Sequence, residues 1–156
     1  MLKILGLCIL IFTIYRTVRA LLANAGREYE VLSELTRLMH YIHTEIKAYM
    51  KPIDAILSSF SSPVLKKYEI CEHIKRRDTD AIMTTDILPK RARELLSELA
   101  LGYGGAECER ELSRVESLAE EFERLAHLSR DSLSTKSRLY TTLGASLCFA
   151  VIIFVI

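Results

Sequence analysis

The sequence lacks any stretch in which apolar and polar residues alternate with a period of two, the pattern of a half-buried β-strand. Its 156 residues include only three prolines and six glycines, so strong helix breakers are few. Charge of either sign is not in excess, because 21 basic and 20 acidic residues leave a net charge of +1. This balance gives no overall electrostatic basis for binding nucleic acid. The composition predicts an all-α protein with no nucleic-acid partner.

Signatures of catalysis and metal binding are also missing from the sequence. There is no nucleophile elbow, no phosphate-binding loop and no H-E-x-x-H pair, and the four cysteines form no C-x-x-C motif. His40 and His43 share one helix face near Glu45, but two imidazoles do not complete a metal site. We therefore predict no catalytic residue, no cofactor, no metal and no enzymatic activity. Catalytic groups that converge only in three dimensions are the alternative.

Charged side chains are absent from the last eighteen residues, Leu139 to Ile156. A helix of this length spans roughly 27 Å, close to the roughly 30 Å of hydrocarbon in a bilayer. The run predicts a C-terminal transmembrane helix over residues 139–156, with a buried core helix as the alternative.

A second uncharged run covers residues 4–15, between Lys3 and Arg16. It predicts an N-terminal transmembrane helix over residues 1–22 if Arg16 and Arg19 extend their guanidinium groups to the membrane interface. A cleaved signal peptide is the alternative. The basic residues Arg16, Arg19, Lys136 and Arg138 all lie on the inner flanks of the two runs, and basic flanks are retained in the cytoplasm. The pattern predicts a multi-pass protein of the cell membrane with a cytoplasmic domain over residues 23–138.

Within that domain, apolar residues recur at helical spacing and three prolines separate the helices. From Glu28 the spacing predicts one long amphipathic helix that ends before Pro52, a second helix after it, and a third over Val64 to Ile74. Pro89 opens another helix, and Gly102 to Gly105 predict a turn before a last helix that continues into the membrane. The long first helix carries the following predicted apolar face: Leu32, Leu35, Leu38, Met39, Ile42, Ile46, Tyr49 and Met50.

Local charge clusters in the domain are the candidates for partner docking. They are two basic groups and two acidic residues near the start of the last helix: Lys75, Arg76, Arg77, Lys90, Arg91, Arg93, Glu107 and Glu111. Such clusters can complement a charged partner, and solvated helix faces are the alternative reading.

Short motifs in a consistent order connect this sequence with a known family. They are the opening MLKILG, the segment Thr44-Glu45-Ile46 followed by Tyr49 and Pro52-Ile53, and the ending from Lys136 to Leu143-Gly144. In order, spacing and total length the chain resembles the stage III sporulation protein AB family of endospore-forming bacteria. It departs from that family ahead of the last helix, where Tyr103-Gly104 and then Glu107 and Glu111 stand in place of a Leu-Gly, an Asp and a Gln.

The resemblance implies a fold and a role beyond what the residue pattern gives. The fold would be an antiparallel bundle of about five to six helices, similar to inner-membrane platform proteins of type II secretion and type IV pilus systems. The role would be a platform in a sporulation channel between mother cell and forespore, with the domain in the mother cell. Its partners would be a secretion-type ATPase of the same operon and other channel membrane subunits.

Association of the chain with copies of itself is left open by the sequence. The competing function is a membrane-anchored coiled-coil adaptor or signalling protein, whose first helix would dimerise through Leu35, Ile42 and Tyr49.

Overall fold

The computed structural model describes residues 2–102 and 108–155, and every regular element in these residues is an α-helix. The helices are α1 (Leu2–Tyr49), α2 (Ile53–Ser59), α3 (Pro63–Lys67), α4 (Ile70–Arg76), α5 (Thr79–Met83), α6 (Lys90–Gly102) and α7 (Cys108–Val155). The predicted all-α class is confirmed. The predicted turn residues Tyr103, Gly104 and Gly105 lie outside the described residues.

Backbone packing divides the chain into two units. The terminal helix pair comprises Met1–Arg27 and Ser129–Ile156, and the central helical unit comprises Glu28–Leu128. The sequence placed these boundaries at residues 22/23 and 138/139. The boundaries from packing differ from those from the sequence because hydropathy marks where charged residues begin. Helix packing in the terminal pair continues beyond the uncharged runs.

The inner part of α1 supplies one side of the core of the central helical unit. Its buried residues follow the spacing of a single helix face: Val31, Leu32, Leu35, Leu38, Met39, Ile42 and Ile46. The predicted face is therefore correct as far as Ile46. It is wrong for Tyr49 and Met50, which are 67% and 80% exposed. The helix ends there, because Met50 adopts a left-handed conformation with φ of 50° while its N–H donates to the Ile46 carbonyl at 2.9 Å.

The opposite side of the core comes from α6 and α7. Their buried residues are Ala92, Leu95, Leu96, Leu99, Ala100, Val115, Leu118, Ala119, Phe122 and Ala126. Phe122 has the largest side chain among the fully buried residues and belongs to the same apolar cluster as the α1 face. Burial of a complete aromatic side chain makes Phe122 a principal contributor to the stability of the central helical unit.

Between the long helices, the chain turns through four short ones with well-defined ends. Ser62 caps α3 by accepting a hydrogen bond from the Leu65 N–H at 3.3 Å, and Pro63 occupies the first turn. Asp78 caps α5 in the same way through the Ala81 N–H at 3.0 Å.

The predicted single helix over Val64 to Ile74 is wrong. Glu69 has a φ of 53°, in the left-handed region, and this residue separates α3 from α4. A left-handed residue cannot continue a right-handed helix, so the segment splits in two.

The terminal helix pair packs along a narrow seam. Its partly buried positions recur at spacings of three and four on both helices, and they are Ile11, Ile14, Val18, Leu22 and Ala25 on α1 and Leu133, Ser137, Tyr140 and Gly144 on α7. A Cβ atom added at Gly144 would lie 3.5 Å from Cγ2 of Val18, an ordinary van der Waals distance, so the Val18 side chain packs beside Gly144.

The remaining apolar side chains of the pair are exposed, including Ile9, Phe12, Leu21, Leu139, Leu143, Phe149 and Ile153. Among the described residues, one helix, Ile9–Tyr49, is long and apolar enough to cross a membrane, with a mean hydropathy of 1.2 in its most apolar stretch and none of that stretch buried. The predicted second span over residues 139–156 is not identified by the same measure of length and composition.

Removal of the Phe122 side chain should strongly destabilise the central helical unit. We expect Phe122→Ala to lower the free energy of unfolding by about 3–5 kcal/mol, because it leaves a large cavity in a closed core. Urea denaturation of the full chain in detergent micelles, followed by circular dichroism, measures the change. Leu101→Ala is the matched control, since Leu101 is 65% exposed and its truncation should cost less than about 0.5 kcal/mol. Equal losses for the two variants would contradict the assigned core.

Candidate partner-docking grooves

A groove of about 740 Å³ opens along the short helices of the central helical unit. We call it the serine groove, and it is lined by residues 57–63, Leu65, Lys66, Glu69, Cys71, Glu72, Lys75 and Arg76. The Ser62 cap and Pro63 shape its wall, because they make the chain turn sharply between α2 and α3. Four serines, Leu57 and Leu65 give the lining both hydroxyl and apolar character.

Basic side chains outnumber acidic ones by three to two on the serine groove, where Lys66, Lys75 and Arg76 lie beside Glu69 and Glu72. Lys75 Nζ lies 2.7 Å from Glu72 Oε1, and this hydrogen bond lowers the pKa of the Glu72 carboxyl. Lys66 and Arg76 are both exposed on the lining. A partner entering the groove therefore meets positive charge beside hydroxyl groups, which suits carboxylates on its surface.

Cys71 places a nucleophilic sulfur atom on this groove, and its surroundings lower the reactivity of that sulfur. Burial raises the pKa of the Cys71 thiol, while the nearby Lys75 opposes part of that effect. A raised pKa keeps the thiol protonated at neutral pH, and the thiolate is the reacting form. The serine groove is therefore suited to binding rather than to thiol chemistry.

A second groove, of about 530 Å³, runs between α6 and α7. We call it the arginine groove, and its lining includes Arg91, Leu95, Glu98, Arg110, Arg114, Leu118 and Glu121. Arg114 spans it by donating to the main-chain carbonyl of Glu98. A hydrogen bond from Arg124 lowers the pKa of the Glu121 carboxyl, with a smaller effect from Arg91. The groove therefore carries mixed charge, with three arginines and two glutamates on its lining.

The predicted docking residues do not form one surface. Lys75 and Arg76 line the serine groove and Arg91 lines the arginine groove, whereas Lys90 lies on the first turn of α6, 3.9 Å from Glu94. Arg77 ends α4 in a left-handed conformation with φ of 55°. Each cluster is therefore divided among different local roles.

Arg93 and the acidic candidates have other positions. Arg93 donates from Nη1 to the Met83 carbonyl, which ties α6 to the end of α5, and its Nε is buried without an acceptor in the described residues. Glu111 is half-buried in the first turn of α7, where the positive end of the helix dipole favours an acid. Glu107 lies outside the described residues.

Histidines contribute no assembled metal site in the part of the chain that the structure describes, because no three metal-binding side chains come together there. Glu45, the acid nearest to His40 and His43 in sequence, is engaged by Lys51 at 2.6 Å. This hydrogen bond also raises the pKa of Lys51.

Three basic residues of the grooves, Lys66, Arg110 and Arg114, were not predicted from the sequence. Arg110 and Arg114 stand four residues apart on one face of α7, a spacing that would have indicated a shared surface. Lys66 has no local signal, because its place on the serine groove depends on the turn at Glu69.

Comparison with models of protein families, with curated proteins and with solved structures finds no match for this chain.

The thiol of Cys71 should react more slowly than that of Cys108. Cys108 is exposed, whereas burial raises the pKa of Cys71, and each unit of pKa costs about tenfold in thiolate at a pH below it. We expect alkylation of Cys71 to be several-fold slower at neutral pH, because burial limits access of the reagent and raises the pKa of the thiol. Mass spectrometry of chains that retain one of these cysteines at a time measures both rates. Equal rates in the folded protein would contradict the placement of Cys71, and equal rates in urea are the control.

Proposed function

We propose that this chain is a non-enzymatic membrane platform subunit of a sporulation channel, in which a cytoplasmic helical bundle couples a cytosolic ATPase to membrane-embedded components. The observation that carries the proposal is the contrast between the two units. The terminal helix pair exposes its apolar side chains, whereas the central helical unit buries its own in a closed core. A chain built in this way is held at a membrane and offers a folded domain to partners.

The proposed topology has two spans. Exposed residues such as Phe12 on α1 and Phe149 on α7, 60% and 68% exposed, would be costly in water and are stable in hydrocarbon. The helical backbone satisfies its own hydrogen bonds, as a span requires. Arg130, Lys136 and Arg138 precede the apolar end of α7, and this basic flank favours a cytoplasmic central unit.

The proposed ATPase contact is the serine groove, with the arginine groove as a further contact. Lys66 and Arg76 give the serine groove a positive rim, and neither has the buried position that would make it a packing residue. Paired positive and negative surfaces accelerate encounter and set the register of docking. The specific channel, its mother-cell side and the identity of the ATPase derive from the family resemblance.

The coiled-coil adaptor is the competing function, and the burial of α1 disfavours it. Its dimer seam would consist of Leu35, Ile42 and Tyr49. Leu35 and Ile42 are both 0% exposed within a single chain, whereas Tyr49 is 67% exposed. We expect a fragment of residues 27–133 to sediment as a compact monomer, because its own helices already cover Leu35 and Ile42. An elongated, stable dimer in analytical ultracentrifugation would support the adaptor instead.

Reversal of charge on the serine groove should weaken binding of the ATPase encoded beside this chain. We expect the double variant Lys66→Glu and Arg76→Glu to bind it about tenfold more weakly, because two attractive contacts become repulsive. Titration of the purified full chain in detergent with the ATPase, by fluorescence anisotropy, measures the affinity.

Lys47→Glu is the matched control for this experiment, since Lys47 is exposed on α1 and belongs to neither groove. Its affinity should equal that of the unaltered protein. Unchanged binding by the double variant would exclude the serine groove as the contact. Micromolar binding of nucleotide or of a metal ion by this chain alone would overturn the non-enzymatic role.

A further inference from the structure

Two arginines of α1 lie within the apolar part of the terminal helix pair. Val18 approaches Gly144, and the chain leaves the pair at Arg27 and re-enters it at Ser129, so the helices are antiparallel. Arg16 precedes Val18 by two residues and is therefore level with Ser146, while Arg19 is level with Leu143. At 1.5 Å per residue, these levels lie about 12 Å and about 8 Å beyond that of Arg138 on α7.

The positions of exposed leucines indicate how far the hydrocarbon layer of the membrane extends along the terminal helix pair. Leu139 and Leu143 on α7 are 52% and 58% exposed, and Leu21 on α1 is 45% exposed. All three stand between the level of Arg138 and the level of Ser146. If the membrane surface lay at Arg16, these leucines would face water, so the surface lies near Arg138 and Lys136. Arg16 and Arg19 are then inside the hydrocarbon.

Neither arginine is turned toward α7. Arg16 is two residues before Val18, about 200° around the helix, and Arg19 is about 100° from it. Both are exposed in the terminal helix pair. Side chains on a helix tilt toward its N-terminus, which for α1 is the end remote from the central unit. The Cα–Cβ bonds of Arg16 and Arg19 therefore point away from the level of Arg138, so the expected extension to the interface requires each side chain to turn back over about 8–12 Å.

No carboxylate side chain of the terminal helix pair can neutralise these charges. Residues 1–27 and 132–156 contain no Asp or Glu, and Asp131, the one acidic side chain of the pair, lies about 18 Å by helix rise from the level of Arg19. A second copy of the chain would bring arginine against arginine and repel. Lipid phosphates lie in the headgroup layer, about 8–12 Å from these levels by helix rise. Charged residues inside membranes pair with one another at sites of function.

We infer that Arg16 and Arg19 form a docking stripe for a transmembrane helix of a different subunit, one that carries an Asp or Glu side chain within the membrane. The arginine fork binds a carboxylate through two parallel hydrogen bonds, which fixes the depth of the partner helix as well as its identity. The inference rests on the two-span topology proposed above. It adds to it the chemistry of the membrane partner and the face of α1 that this partner contacts.

The test uses the full chain in bilayers with a synthetic helix as the probe. The chain has no tryptophan, so Leu147→Trp provides a single fluorescent reporter in the apolar part of α7, nine residues beyond Arg138. The probe is a dansyl-labelled polyleucine transmembrane peptide with one central Asp, compared with the same peptide carrying Asn. We expect the Asp peptide to associate about tenfold more strongly, as judged by energy transfer from the tryptophan.

Substitutions at Arg16 and Arg19 test whether these two residues cause the preference for the Asp peptide. The double variant Arg16→Leu and Arg19→Leu should lose the preference for Asp, and the double variant with Lys at both positions should retain most of it. Arg27→Leu is the matched control, because Arg27 is exposed on the same helix but lies on the cytoplasmic side of the apolar run. Neutral phosphatidylcholine bilayers are compared with bilayers that contain phosphatidylglycerol.

The possible results distinguish failure of the docking stripe from failure of the two-span topology. If brominated lipids fail to quench the tryptophan at position 147, the two-span proposal fails. If they quench it but the Asp and Asn peptides bind equally, the docking stripe is wrong and the topology stands. A preference for Asp that survives replacement of both arginines by leucine also overturns the inference. Loss of that preference when phosphatidylglycerol is added identifies a lipid phosphate as the ligand and overturns it too.

Discussion

The burial of apolar helix surface away from water is the constraint on which both the terminal helix pair and the central helical unit depend. In the central helical unit, α1 and α7 satisfy that constraint with each other and with the short helices, and Leu32 and Phe122 are completely buried. In the terminal helix pair, the seam through Val18 and Gly144 covers one face of each helix and leaves the rest exposed. The same two helices therefore contribute to a closed core and to an exposed apolar surface.

The short helices place basic residues that are neighbours in the sequence in different parts of the central helical unit. Lys75 and Arg76 enter the serine groove, whereas the hydrogen bond from Arg93 to the Met83 carbonyl makes this arginine part of the packing between α5 and α6. Arg77 ends α4 in a left-handed conformation and is exposed. The residues of one basic cluster in the sequence thus have different surroundings once the chain turns.

Helix positions were predictable where a signal is local. Prolines and the spacing of Leu32 to Ile46 predicted the end of α1 and its buried face, since both depend on residues within a few turns. The break at Glu69 was not predictable, because a non-glycine residue in the left-handed region is sustained by its surroundings and has no signature of its own. Lys66 was missed because its place on the serine groove depends on this turn, whereas Arg110 and Arg114 carried a local signal in their spacing of four residues.

The sequence by itself determined the all-helical class, the two apolar runs and their basic flanks, because periodicity and hydropathy are properties of neighbouring residues. It also led to the resemblance on which the sporulation role depends. Only the tertiary structure decided the register of α1 against α7, since the approach of Val18 to Gly144 depends on the shapes of side chains more than a hundred residues apart. That register places Arg16 and Arg19 beyond the level of Arg138, a depth that the order of residues along one helix does not reveal.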